Sequence, residues 1–167
     1  MNFYKLIKSN LKLSIFFIPF SVLLIDQIFK YLIYVNLFIE FRIIKIFPFL
    51  NLVPVWNSGI SFGMFDQSGE FGRLIFTLIG LGFGMSIPIF ASNWNNLERI
   101  GAGFISGGAL GNAIDRIIHG RVIDFIDFHS YGIHFPTFNF ADTFISLGVV
   151  TLLSVSYTHL TLPTTEA

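Results

Sequence analysis

Asp124 and Asp142 are the residues in this sequence best suited to chemistry, because each is a carboxylate at the edge of a membrane-length apolar segment. The first lies in Gly107-Gly-Ala-Leu-Gly-Asn-Ala-Ile-Asp-Arg-Ile-Ile-His-Gly-Arg-Val-Ile-Asp-Phe-Ile-Asp-Phe128, the second closes Phe138-Asn-Phe-Ala-Asp142. A carboxylate near lipid is expensive to keep and marks a functional site by default. The 18 residues that separate them allow the chain to loop out and return, so the two could meet at one membrane surface. Two adjacent carboxylates do not both ionise cheaply and instead share a proton. The ionised one can then deprotonate a water while the protonated one polarises a carbonyl. That is peptide hydrolysis without a metal or a covalent intermediate. The alternative is structural, with Asp124 capping a loop and Asp142 capping a helix after Asn139. The residues alone leave both readings open.

Other constellations are weaker. Gly59-Ile-Ser-Phe-Gly63 matches a Gly-x-Ser-x-Gly elbow, but that motif needs a strand–turn–helix setting and here sits in an apolar surface segment. His129 and His134 lie near Asp127, yet no His-Glu-x-x-His accompanies them, and loop histidines are usually solvated. No metal and no cofactor are expected. His119 beside Gly120 reads as a turn residue, and Asn57 as a turn former or a substrate-binding amide. The chain has no cysteine, which excludes disulfides, thiolate catalysis and Cys-based zinc sites.

The elements that must hold these residues follow from composition. Of 167 residues 53% are hydrophobic and only 12% charged, where soluble domains carry about 25% charged residues. With 22 phenylalanines, this excess cannot be buried in one small globule, so the chain reads as an integral membrane protein. The formal net charge of zero gives no support for nucleic-acid binding. Four segments approach the ~20 apolar residues a spanning helix needs: about 13–35, 74–91, 100–114 and 141–155. The fold class expected is therefore an all-α membrane protein with four transmembrane helices. Lys5, Lys8 and Lys12 precede the first run without a small-residue cleavage site after it, so it reads as a retained helix with its start in the cytoplasm. Residues 36–73 and 116–140 then face outward, although Arg42, Lys45, Arg73, Arg116 and Arg121 also fall on that side. The β-branched and aromatic stretch from Ile43 to Trp56, broken by Pro48 and Pro54, suggests short strands forming a small outward-facing, β-rich surface cradle. Residues 1–155 read as a single domain. The threonine-rich residues 156–167, with Pro163, read as a foreign or mis-assembled tail that shortens the fourth span.

Gly103, Gly107 and Gly111 share one face of the third helix, where small residues admit a neighbouring backbone. Gly108 and Asn112 form a second stripe, with Asp115 and Arg116 a turn further on. Asp26 and Lys30, four apart, place an acid and a base on one face of the first helix, where they neutralise each other and brace the bundle.

Four blocks together, in order, resemble the lipoprotein signal peptidase (signal peptidase II) family over roughly residues 13–153: Asp26-Gln-Ile-Phe-Lys30, Asn57-Ser-Gly-Ile-Ser-Phe-Gly63, Gly107 through Phe128, and Phe138-Asn-Phe-Ala-Asp142. The resemblance implies a four-helix aspartic peptidase of the bacterial inner membrane, cleaving prolipoproteins just before the diacylglyceryl-modified cysteine. It implies Asp124 and Asp142 as the catalytic pair, with Asn112, Asp115, Arg116 and Asn139 around them. Asn57 would contact substrate, and Asp26 and Lys30 would support the site. It also implies sensitivity to globomycin-type inhibitors and an active site at headgroup depth on the outward face. The altered C-terminus departs from the family, which usually ends on a longer fourth span. Two rival readings remain: a proton-coupled transporter, against which the lack of an internal repeat argues, and a non-catalytic scaffold whose acids only cap helices.

Overall fold

The computed structural model describes residues 15–59 and 69–161. The N-terminal lysines, the Gly59–Gly63 motif beyond Gly59, and the last residues of the tail, including Pro163, lie outside the described residues. Helix α1, Phe17–Ile33, continues through a π-helical turn at Tyr34–Phe38. Strands β1, Ile44–Phe47, and β2, Leu50–Asn57, follow. Helix α2 spans Gly69–Phe90, and α3 spans Asn96–His119. Strands β3, Val122–Ser130, and β4, Ile133–His134, lead into α4, Phe140–Thr161.

Among the described residues, three stretches are long and apolar enough to cross a membrane: Phe17–Phe38, Gly69–Asn93 and Phe140–Tyr157. Helix α3 has the length but less apolarity, because its glycines and the polar run Asn112–Arg116 replace large hydrophobics. Its place in the bundle explains this. It packs against each of the other three helices, so small residues serve it better than greasy ones. A Cβ on Gly107 would lie 2.6 Å from the Pro19 carbonyl of α1, and one on Gly108 would lie 2.5 Å from the Ala141 carbonyl of α4. The outer faces of the other helices carry exposed Phe17, Leu78, Met85 and Leu153. Helix α4 runs on through Thr161, six residues beyond the apolar run that the sequence suggested would end at Val155.

The strands form one antiparallel sheet in the order β1-β2-β3-β4. Its first half comes from the segment read as a cradle. Its second half comes from residues that the sequence left as a loop. Between the pairs Leu52↔Ile126 and Val55↔Asp124, β2 has one extra residue, a bulge that coincides with Pro54. Proline has no N–H to give to a ladder and is tolerated at such a bulge. The hairpin from β3 to β4 turns on Tyr131 and Gly132, both with positive φ (49° and 78°), as a two-residue type I′ turn requires. A buried cluster of Ile33, Leu37, Ile123 and Phe125, with Trp56 and Phe140 against it, seats the sheet on the end of α1.

Candidate active site

Helix α3 delivers its polar end to the sheet and stops there. Its N-terminus carries a reciprocal capping box between Asn95 and Glu98. Its C-terminus closes on Gly120 in the left-handed conformation, φ 74°. His119, expected in a turn, is the last residue of the helix; it stacks on Tyr34 with ring centroids 5.5 Å apart and meets Trp56 at a tilt, 5.4 Å away. The reversal at Gly120 brings Val122–Phe125 directly under the bundle, and all four are buried.

Asp124 therefore lies in a strand and not in a loop, 1% exposed. Its two oxygens accept amide hydrogens from Asn57 Nδ2 at 2.8 Å and Asn139 Nδ2 at 2.6 Å. Asp142 occupies the third position of α4, and its N–H donates to Asn139 Oδ1 at 2.9 Å. The Asn139 N–H donates back to Asp142 Oδ2 at 3.3 Å. This is the capping-box arrangement, built from Asn and Asp, and a negative side chain there faces the positive end of the helix dipole. Asn139 thus both caps α4 and joins the two aspartates. The residue before it, Phe138, bridges to Ile126 of β3, so the start of α4 is fastened to the strand that carries Asp124.

Burial and the neighbouring Asp142 carboxylate push the Asp124 carboxyl up to about 7, against the pull of the two amide donors and of Lys30. The amides have only one consistent orientation. Lys30 can only donate, and its Nζ lies 2.9 Å from Asn112 Oδ1, so Asn112 Nδ2 must face Asp142 Oδ1, at 2.8 Å. Asn139 Nδ2 also reaches Asn112 Oδ1 at 3.1 Å. All nine residues singled out from the sequence thus belong to one connected polar network. Asp26, Lys30, Asp115, Asp124 and Asn139 lie inside it, each no more than 2% exposed.

A cavity of about 370 Å³ opens beside this network over α3. Its polar wall is Asp142, Asn57, Asn112 and Arg116, and its apolar wall includes Phe76 and Ile79 of α2 and Ile145 of α4. Asp124 stands behind that wall. Arg116 donates to the Gly59 carbonyl at 2.6 Å and the Asn112 carbonyl at 3.2 Å, while its buried Nε has no partner among the described residues.

One participant was not singled out from the sequence. Gln27 Nε2 reaches Asp115 Oδ1 at 3.0 Å, Gly111 O at 3.2 Å and Asp26 Oδ2 at 3.3 Å. Its signal was present: within the apolar run from Val22 to Ile33 the only polar side chains besides Tyr31 are Asp26, Gln27 and Lys30. The pair His129 and His134 stack with centroids 5.1 Å apart, and His134 Nδ1 lies 2.7 Å from Asp127 Oδ1. No group of three potential metal ligands occurs among the described residues.

Comparison with known proteins agrees on one family. The family model described as signal peptidase (SPase) II matches residues 18–158. A lipoprotein signal peptidase of Thermodesulfovibrio yellowstonii is 46% identical over 132 residues, 78% of this chain and 86% of that protein. One from Shewanella sp. (strain MR-4) is 39% identical over 142 residues, 81% of each chain. Among solved structures, a bacterial membrane enzyme determined by the in meso method at 2.3 Å resolution is 25% identical with a TM-score of 0.78, covering 92% of this chain and 93% of that one. A second, at 1.9 Å resolution, is 29% identical with a TM-score of 0.68, covering 85% and 91%.

Proposed function

This chain belongs to the signal peptidase II family, whose members are aspartic proteases that remove signal peptides from prolipoproteins, and we propose that it does so with Asp124 and Asp142 as a dyad. The single observation that carries this reading is Asn139, which bonds both aspartates and fixes one against the other. Asp124, pushed up to about 7, holds the shared proton near neutrality and donates it toward the scissile carbonyl. Asp142, on the cavity wall, takes the proton of the attacking water. Water adds to the carbonyl carbon, the tetrahedral intermediate collapses, and the amine of the lipidated cysteine leaves with a proton from the dyad. Asn57 and Arg116, on the same wall, hold the substrate backbone, and the Nε of Arg116, which has no partner among the described residues, is a donor suited to a peptide carbonyl. The apolar wall suits the acyl chains of a diacylglyceryl group.

In this reading α3 completes a four-span bundle in the bacterial inner membrane. The sheet lies at the outward surface as a substrate cradle, and globomycin-type peptides block the cavity. Cleavage of a diacylglyceryl-modified prolipoprotein in membranes, by this chain and by Asp124→Asn and Asp142→Asn at matched expression, tests it. Both variants should be inactive, and full cleavage by either removes that carboxylate from the mechanism.

A further inference from the structure

Lys30 makes three contacts, one for each of its N–H groups: Asp26 Oδ2, Asp115 Oδ2 and Asn112 Oδ1, each at 2.9 Å. Each of these acceptors is one bond from a catalytic segment. Asp26 Oδ1 accepts the N–H of Ala141, the residue before Asp142, at 2.9 Å. Asp115 Oδ2 accepts the N–H of Ile123, the residue before Asp124, at 3.0 Å. Asn112 donates to Asp142 itself. We infer that Lys30 is a positioning residue, the centre of a clamp that sets the separation of the two aspartates by drawing together the carboxylates that hold their backbones. This rests on the dyad reading above.

The pattern is more than a helix brace. A brace between α1 and α3 needs only one of the two ion pairs. Here a single ammonium faces two buried carboxylates, an excess of negative charge that burial makes costly unless further donors compensate it. The compensating donors are Gln27 and the two backbone N–H groups that immediately precede Asp124 and Asp142. Gly111 makes this possible, because its missing side chain leaves room for the Asp26 carboxylate against α3. The clamp spans three helices and a strand, tying α1 to residues 82 to 115 positions further along the chain.

The test measures kcat and KM for a diacylglyceryl-modified prolipoprotein across pH, using the full chain in membranes, with the folded fraction followed by thermal unfolding in detergent. Lys30→Met should lower kcat about 100-fold and leave KM within about threefold, as a misplaced catalytic pair would. Asp124 faces Asp142 of α4, Arg116 of α3 and Lys30 of α1. Losing the ammonium leaves Asp124 protonated to higher pH, so the alkaline limb of the profile should move upward. Lys30→Met alone strands two buried charges. The neutral triple variant Asp26→Asn/Lys30→Met/Asp115→Asn removes them while keeping side-chain oxygens for the Ala141 and Ile123 N–H groups. A clamp requires that this variant fold and stay slow at unchanged KM. Parental kcat in the triple variant, or activity that tracks the folded fraction in both variants, overturns the clamp and leaves a brace. Failure of the dyad reads differently: cleavage by Asp124→Asn or Asp142→Asn removes what the clamp would position. Two inactive dyad variants beside a fully active Lys30→Met remove the clamp alone.

Discussion

Asp124 and Asp127 lie three residues apart on β3, and each receives a side-chain amide from β2, Asn57 at 2.8 Å for the first and Asn51 at 3.0 Å for the second. An odd spacing sends their side chains to opposite faces of the sheet. Asp124 turns toward the helices and meets a second carboxylate. Asp127 turns toward the hairpin and meets His134, which is more than half exposed. Burial works against charge on Asp127, but the bonds from His134 and Asn51 outweigh it and hold its carboxyl below the ordinary range. On Asp124 burial and the like charge of Asp142 prevail, and the carboxyl rises to about 7. Two aspartates with matching asparagine donors are thus separated by their third neighbour, a carboxylate for one and an imidazole for the other. One becomes a proton holder and the other a fixed anion.

The widest gap between them should appear in activity. Asp124→Asn should reduce cleavage about 10⁴-fold, while Asp127→Asn should stay within about threefold; equal losses would collapse the distinction. Asn139→Ala should come next, lowering kcat about 100-fold by releasing the two aspartates from each other, and removing roughly 1 kcal/mol of stability with the helix cap. Kinetics and denaturant unfolding on the same preparation separate the two effects. A smaller effect is expected from pH. In the proposed mechanism the singly protonated dyad is the competent form, so the rate should fall about tenfold per unit above the point, about 7, at which Asp124 loses its proton. Asp127→Asn should leave that limb in place. The smallest effect is on stability. Asp127 has a depressed carboxyl, so its contribution is fully present above the unfolded value of about 4 and is lost as pH falls through the lower folded value. With His134 so exposed that contribution is about 1 kcal/mol, read as a difference in unfolding free energy between parent and Asp127→Asn at pH 7 that disappears in acid.

The members of the buried polar network were legible because they violate their surroundings. Asp26, Lys30, Asp124 and Asp142 are charges in apolar company, and the glycine stripe of α3 reads directly as close packing. Helix α3 was harder to bound. Its apolar stretch ends near Ile114, but the helix runs to His119 because Asp115 pairs with Lys30 of α1 and Arg116 bonds the carbonyls of Asn112 and Gly59. Strand β3 was hidden for a related reason. Its first four residues are all buried, so the alternation that marks a half-exposed strand is absent. Gln27 escaped because an amide carries no charge to stand out, although it sits between two residues that did. No pattern in one dimension reports the convergence of Asp26 and Asp115 on the two backbone positions before the dyad. It depends on contacts between residues 115 and 8 positions apart in the chain.

The fastening of α4 at its N-terminal end also has a mechanical consequence. Phe138 is bridged to β3, Asn139 caps the first turn and Ala141 is bonded to α1, whereas Val150, Leu153 and Tyr157 further along the helix are exposed. A bilayer thicker or thinner than the helix is normally met by tilt. Pinned at its first turn, α4 can pivot only about the end that holds Asp142, so the excursion falls on the far end of the lever and the proposed reacting groups stay at the fulcrum.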